Sequence, residues 1–152
     1  MYSIRVSHHK MSFSAAHFVL EAGGCERLHG HNYFVEIYVE GPVDDLGMVM
    51  DFRDLKRDAI GICEKMDHRF LIPGDSEAIH FTKEADCYRI VVSEKEYVLP
   101  MSDCVILPIT ATTSEYLAEH IARSLDLPEG LSVEVCVQEN VGSQGCYRIP
   151  ST

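Results

Sequence analysis

The alternation of apolar and polar positions predicts most of the β-structure in this chain. Residues 3–17 are predicted to form one long strand in which Phe13, Ala15 and His17 share a face. Residues 33–40 alternate regularly and end at a Gly-Pro pair, which is typical of a strand followed by a turn. Two further alternating segments, at residues 131–138 and 145–148, are predicted to be the last strands.

Two segments instead repeat their apolar residues with a helical period. The first helix is predicted to begin after Asp51 as N-cap. Its expected buried stripe consists of Phe52, Leu55, Ala59, Ile62 and Met66. The second is predicted to begin with a Thr-x-x-Glu capping box at residues 112–115 and to bury Leu117, Ile121 and Leu125.

An additional segment, at about residues 73–108, separates the two helices. Within it, residues 88–92 and 96–99 are predicted to form a hairpin, with a looser strand near 79–82. The order of elements predicts a single α+β domain over residues 1–152, with two helices on one face of an antiparallel sheet. Such a sheet has open edges, which oligomerisation could cover.

Charge and composition exclude several classes of partner. Thirteen basic against twenty-four acidic residues give a net charge of −11, which argues against binding nucleic acid or anionic membranes. No segment approaches the roughly 20 apolar residues of a membrane span, and residues 1–10 do not resemble a secretion signal. The six cysteines are scattered along the chain, so we expect reduced thiols in a cytoplasmic protein.

The segment Cys25-Glu26-Arg27-Leu28-His29-Gly30-His31 carries the most chemical information. On an extended strand His29 and His31 present their imidazoles on one side, and a hairpin would bring His17 beside them. Three imidazoles with an open fourth position are typical of a catalytic zinc site. The alternative is a polar strand with incidental histidines.

Cys25 has three interpretations. It could close a Cys/His3 structural zinc site, or it could be an unligated thiolate that acts as a base or nucleophile. It could also be an ordinary small buried residue, which is the interpretation adopted for the remaining cysteines, Cys63, Cys87, Cys104, Cys136 and Cys146.

Three acidic or basic side chains elsewhere could take part in the same chemistry. Asp67 and His68 suit a proton relay, although a charged helix terminus is an equally ordinary explanation. Glu139 continues the apolar face of its strand, so its carboxylate needs a partner. That partner could be a guanidine-like edge of a ligand or an arginine of the protein.

Taken together, these residues resemble the 6-pyruvoyltetrahydropterin synthase family, which includes the 6-carboxytetrahydropterin synthases of queuosine and deazapurine biosynthesis. The resemblance spans nearly the whole chain outside the insertion. It is carried by Phe13-Ser14-Ala15-Ala16-His17, Cys25 to Tyr33, Met50-Asp51-Phe52, Met66 to Phe70, Thr113-Ser114-Glu115, Gln138-Glu139 and Gly145 to Arg148.

The resemblance implies a tunnelling fold (T-fold), with a four-stranded antiparallel sheet, two helices on one face, and trimers or dimers of trimers that close a barrel. It implies that His17, His29 and His31 hold Zn²⁺, that Cys25 accepts a proton, and that Asp67 and His68 form a relay across a subunit boundary. Glu139 would bind the pterin edge with help from Thr112, Thr113 and Ser114, and Arg27 is a candidate for contacting phosphate.

The implied substrate is 7,8-dihydroneopterin triphosphate. The compact Cys-x-x-x-His-Gly-His spacing looks like the enzymes that release acetaldehyde and leave 6-carboxy-5,6,7,8-tetrahydropterin. The alternatives are triphosphate elimination to the pyruvoyl product and a non-catalytic pterin-binding protein with a structural zinc site.

Overall fold

The chain folds as an α+β unit with two helices and one large mixed sheet. The structure is a computed structural model that describes residues 1–21 and 24–152, and only the backbone of Cys25. The helices are α1 (Phe52–Met66) and α2 (Ser114–Ser124), with a 3₁₀ turn at Met101–Asp103. The strands are β1 (Tyr2–His17), β2 (Leu20–Glu21), β3 (Gly24–Cys25), β4 (His29–Gly41), β5 (Arg69–Pro73), β6 (Ile79–Glu84), β7 (Cys87–Val92), β8 (Lys95–Pro100), β9 (Cys104–Leu107), β10 (Ser132–Asn140) and β11 (Ser143–Ile149).

The main sheet has six strands in the order β11-β10-β4-β1-β5-β9. Four of them, β11, β10, β4 and β1, pair antiparallel as predicted. The prediction of a purely antiparallel four-stranded sheet is wrong at the other side, where β5 runs parallel to β1 and β9 runs parallel to β5. The sequence of β5 is a short apolar run buried on both faces, which carries no alternation to mark it as a strand.

A bulge in β1 keeps the apolar residues on one face along its whole length. The pairing with β4 shifts register between Ser7 and Ser12. Val6 and Met11 are consequently both buried although they differ in parity. Beyond the bulge, Phe13 and Ala15 continue the same buried face.

Helix α1 begins as predicted, with the Asp51 carboxylate accepting a hydrogen bond from the Arg53 amide. Phe52, however, is 52% exposed and does not join the buried stripe. It occupies the first helical position, where a side chain inclines toward the N-terminus and so points past the helix start.

Helix α2 begins one residue later than the predicted capping box. Its N-cap is Thr113, which makes no side-chain capping bond. The hydroxyl of Thr112 is instead buried and donates to the carbonyl of Phe18 at 3.3 Å. The predicted stripe is confirmed at Leu117 and Ile121, which are fully buried, whereas Leu125 is the C-cap and is only partly buried.

Both helices cover the same face of the sheet. One hydrophobic core contains side chains of α1, α2 and the inward faces of β1, β4 and β10. Neither helix in the described parts of the chain is long and apolar enough to span a bilayer.

Residues 79–100 of the insertion form a small antiparallel sheet of their own, in the order β6-β7-β8, whereas β9 belongs to the main sheet. The predicted hairpin and the looser strand are thereby confirmed. Apolar residues of this inserted sheet pack with Phe18, Phe70 and Ile72 in a second core. The insertion is therefore attached to the segment that directly follows β1.

The prediction of six reduced thiols is wrong for one pair. Cys136 and Cys146 lie opposite each other on β10 and β11 and form a disulfide. Cys63, Cys87 and Cys104 are free. Burial raises the pKa of the Cys63 thiol to about 12, so this side chain remains protonated in the core.

Candidate metal and pterin site

Three imidazoles converge where β1 and β4 meet at their ends. The antiparallel register places His17 opposite His29 and Ala15 opposite His31, so the three histidines share one face. The Nε2 atoms of His17 and His29 are 3.1 Å apart, and one ring nitrogen from each of the three histidines lies within 4.8 Å of the others. This cluster, His17, His29 and His31, could hold a metal ion.

The second nitrogen of two of these rings is occupied by the backbone. Nδ1 of His17 lies 3.0 Å from the carbonyl oxygen of Thr112, and Nδ1 of His29 lies 2.7 Å from that of Arg27. A proton on Nδ1 donated to these carbonyls leaves each Nε2 lone pair directed at the cluster centre. Burial lowers the pKa of His17, which favours the neutral, metal-binding form.

The third ring, that of His31, shows whether this group of side chains suits a cation. Nε2 of His31 is buried and has no aligned hydrogen-bond partner among the described residues. The Glu139 carboxylate lies 3.2 Å from it, within ion-pair distance but without hydrogen-bond alignment. Three clustered imidazoles, one of which keeps a buried nitrogen without a hydrogen-bond partner, fit the donor set that a tetrahedral metal with one open position requires.

Glu139 lies beside His31 of the cluster. It lies where the pairing of β10 with β11 shifts register, between Gln138 and Asn140. Its side chain is only 26% exposed. Within the described residues, this carboxylate is paired with His31 of the cluster and not with an arginine.

Tyr33 and Glu26 are two further residues of this region, and neither is among the site residues predicted from the sequence. The Tyr33 hydroxyl is buried and lies 3.3 Å from Nδ1 of His17. Burial, then the carboxylates of Glu139 and Glu26, raise the pKa of Tyr33, which keeps the phenol neutral. The only signal for Glu26 was its position next to Cys25, and for Tyr33 its continuation of the His29 and His31 face.

Asp67 and His68 form the predicted pair, since their Oδ2 and Nδ1 atoms are 2.9 Å apart. The Ser14 amide donates to Asp67 at 2.8 Å, and this bond is the main cause that lowers the pKa of Asp67. His68 has a φ of 56° and an 82% exposed side chain.

The imidazole of His68 borders an open cavity of about 580 Å³. Ser14, Ala16 and Asn32 on its wall alternate with the cluster residues along their strands, while His31 of the cluster also lines the cavity. Among the described residues, no hydrogen bond or ion pair joins Asp67 or His68 to the cluster of its own chain.

The remaining predicted site residues are placed as follows. The side chain of Cys25 lies outside the described part of the structure. Arg27 is exposed. The carbonyl and hydroxyl oxygens of Thr112 lie within hydrogen-bond distance of Nδ1 of His17. A role of Thr112 toward the substrate stays a prediction. Thr113 and Ser114 are the N-cap and first residue of α2.

The sequence profile of a family described as 6-pyruvoyl tetrahydropterin synthase matches residues 6–148. The chain belongs to this family. A protein of Methanocaldococcus jannaschii with the provisional name 6-carboxy-5,6,7,8-tetrahydropterin synthase is 32% identical over 149 residues, which cover 93% of this chain and 91% of that protein. A dihydroneopterin monophosphate aldolase of Pyrococcus furiosus is 43% identical over 63 residues, covering 41% of this chain and 54% of the aldolase.

Solved structures of a Plasmodium enzyme of this family superimpose closely on the chain. The crystal structure of the 6-pyruvoyl tetrahydropterin synthase of Plasmodium vivax matches with a TM-score of 0.92 at 30% identity, over 98% of both chains. Structures of the same enzyme in which a catalytic glutamate is replaced by alanine or by cysteine match with TM-scores of 0.89 and 0.88. The chain thus has the α+β architecture of these structures and belongs to the family of pterin synthases.

Proposed function

We propose that this protein is a zinc-dependent lyase that converts 7,8-dihydroneopterin triphosphate and water to 6-carboxy-5,6,7,8-tetrahydropterin, acetaldehyde and triphosphate. The observation that carries the proposal is the convergence of three imidazole nitrogens with the Glu139 carboxylate beside them. The provisional name of the M. jannaschii relative supports the same product.

His17, His29 and His31 would hold the zinc ion. When bound there, zinc supplies a Lewis acid that polarises the side-chain hydroxyl oxygens of the substrate. The carbonyls of Thr112 and Arg27 fix the orientation of two of the rings.

The Glu139 carboxylate would bind the pterin ring. A carboxylate can accept two parallel hydrogen bonds, and the pterin presents its 2-amino and N3–H groups in that geometry. Because Glu139 lies 3.2 Å from His31, a pterin held there would extend its C6 side chain along the imidazole cluster. Thr113 and Ser114 would contribute main-chain groups to this binding.

The protons would be moved by Cys25 and by the Asp67–His68 pair. A Cys25 thiolate would take the proton from the carbon next to the polarised hydroxyl. Asp67 is ionised and holds His68 by its Nδ1, which leaves Nε2 to exchange protons with the substrate. Because no hydrogen bond or ion pair of the described residues joins His68 to the cluster of its own chain, we propose that it serves the cluster of a neighbouring copy in a trimer or dimer of trimers.

Mass spectrometry of the products tests this proposal. The zinc-loaded protein would be incubated with 7,8-dihydroneopterin triphosphate while volatile aldehyde is trapped. Carboxytetrahydropterin with one acetaldehyde per turnover supports it. Pyruvoyltetrahydropterin without aldehyde would indicate the pyruvoyl-forming alternative, and the absence of any conversion would contradict the proposal and favour a non-catalytic pterin-binding protein.

Two variants assign the roles. Cys25→Ala is expected to retain zinc and pterin binding while losing turnover. Glu139→Gln is expected to retain zinc and to weaken pterin binding. Loss of zinc stoichiometry in Cys25→Ala would contradict the assignment of Cys25 as a base.

A second candidate activity is favoured by Glu26. Its carboxylate accepts a hydrogen bond from the Val19 amide at 3.0 Å. After burial and the Glu139 carboxylate, the charge of Glu26 is a further cause that raises the pKa of Tyr33 beside the cluster. A catalytic glutamate in the P. vivax enzyme and the aldolase name of the P. furiosus relative fit a carboxylate base in this fold.

In this candidate, Glu26 would take the proton of the 2′-hydroxyl group. The C1′–C2′ bond would break, and C1′ would be protonated to give 6-hydroxymethyl-7,8-dihydropterin and a phosphorylated two-carbon aldehyde. These products would be distinguished from carboxytetrahydropterin in the same experiment. Glu26→Gln should abolish this cleavage while Cys25→Ala should not.

A further inference from the structure

The inserted sheet contacts the segment between His17 and His29 at two points, Phe18 and Glu26. Phe18, which directly follows the metal-site residue His17, is 3% exposed and belongs to the second core. Its ring stacks on that of Tyr97 of β8 at 5.4 Å and contacts that of Phe70 at 5.5 Å. The start of the segment that connects β1 to β4 is thus packed against the insertion.

The second contact is a hydrogen bond from the tip of the insertion. Lys95 begins β8, and its Nζ atom donates to the carbonyl oxygen of Glu26 at 3.0 Å in a partly buried position. The two residues are 69 positions apart in the chain. An ammonium donor makes this bond charge-assisted, and such bonds are stronger than neutral ones.

The backbone around Glu26 is in turn hydrogen-bonded to the segment that follows His17 and to the ring of His29. The Glu26 amide donates to the Val19 carbonyl at 3.0 Å, and the Val19 amide donates to the Glu26 carboxylate at 3.0 Å. The next carbonyl along the chain, that of Arg27, accepts from Nδ1 of His29 at 2.7 Å. A continuous series of bonds therefore leads from Lys95 to a metal-site ring.

We propose that Lys95 is a positioning residue for the metal site. By holding the carbonyl of Glu26, it fixes residues 24–28, the segment that carries Cys25 and the carbonyl that orients His29. The proposal rests on the proposed function only in that His29 is taken as a metal ligand. Through Lys95, the insertion would help to position the site residues, in addition to enlarging the fold.

Three variants test this. Lys95→Met keeps the aliphatic chain and removes the donor, whereas Lys95→Arg keeps a charged donor. Lys83→Met is the matched control, because Lys83 is an exposed lysine on β6 of the same inserted sheet. Each variant would be compared with the full-length wild type in amide hydrogen exchange, zinc affinity and steady-state kinetics.

In Lys95→Met, exchange in the peptides spanning residues 18–28 should accelerate by about tenfold or more, since a hydrogen bond to a charged group is lost. Zinc affinity should fall by about tenfold, as is typical when support of a metal ligand is removed. We expect kcat to fall while KM stays within about twofold. Lys95→Arg should restore these values, and Lys83→Met should leave them unchanged.

Unchanged exchange in Lys95→Met would overturn the proposal, whatever the kinetics show. A rise in KM with normal exchange and normal zinc affinity would also overturn it, because Lys95 would then be contacting the substrate phosphate. Hydrogen exchange is measured without metal or substrate. A wild type that does not turn over would therefore contradict the proposed function while this test still decides the role of Lys95.

Discussion

Replacing Gly145 with alanine tests the packing of strand β11 against the start of helix α2, close in the chain to Thr112, which supports His17 of the imidazole cluster. A Cβ atom on Gly145 would lie 2.6 Å from the Glu115 amide nitrogen, and 2.8 and 2.9 Å from the carbonyl carbon and Cβ of Ser114. Two of these three neighbours are backbone atoms at the start of α2, so no side-chain rotation relieves the contact. Strand β11 and the helix start must separate by several tenths of an ångström.

The cost can be worked out from this geometry. Overpacking that forces the backbone to shift typically costs about 1–3 kcal/mol, and the smaller entropy of an alanine-containing unfolded chain offsets about 0.4–1 kcal/mol. The free energy of unfolding should therefore fall by about 1–2 kcal/mol, or the Tm by about 2–8 °C for a domain of this size. The displaced segment adjoins Thr112, whose carbonyl supports His17, so zinc affinity should fall as well.

Gly61→Ala is the matched control for the same chemical change. Gly61 lies within α1, and a Cβ atom there would meet nothing within 4 Å. Alanine in a helix is favoured over glycine by about 0.5–1 kcal/mol, so this variant should be more stable than the wild type. Urea denaturation of all three proteins measures both effects. A Gly145→Ala protein as stable as the wild type would refute the account of this contact.

Three further predictions follow from the site and its surroundings. Zinc at a hundredfold excess over its Kd should raise the free energy of unfolding by about 2.7 kcal/mol, and His29→Ala should remove this stabilisation in thermal denaturation. The pKa of Asp67 is lowered in the folded state, so its contribution to stability is present above the unfolded value near 3.8. This contribution is lost as the pH falls through the folded pKa. In a plot of the free energy of unfolding against pH, Asp67→Asn should therefore flatten the acid side. Alkylation without reductant should spare Cys136 and Cys146, and reduction should lower the free energy of unfolding by about 2–3 kcal/mol for so short a loop; complete labelling without reductant would contradict the disulfide.

The sequence predicted the parts of the fold that local periodicity encodes. The alternation along β1 and β4 placed Phe13, Ala15 and His17 on one face, and the structure confirms this arrangement. The grouping of His17, His29 and His31 followed because an antiparallel pairing brings the two strand ends together.

Features that depend on distant pairing were missed. Strands β5 and β9 join the sheet through parallel contacts with no local signal, and the Lys95–Glu26 bond links residues from separate elements. The Cys136–Cys146 pair could have been found by extending the predicted hairpin of β10 and β11 residue by residue. The expectation of reduced thiols was therefore wrong for Cys136 and Cys146.

The central claim, a three-histidine zinc site that leaves Cys25 free to act as a base, is tested most directly by zinc K-edge X-ray absorption of the zinc-loaded wild type. The account predicts nitrogen ligands at about 2.0–2.1 Å and no sulfur in the first shell. The spectrum should also be the same in Cys25→Ala. A sulfur ligand at about 2.3 Å that disappears in Cys25→Ala would instead indicate a closed structural site and contradict the proposed catalysis.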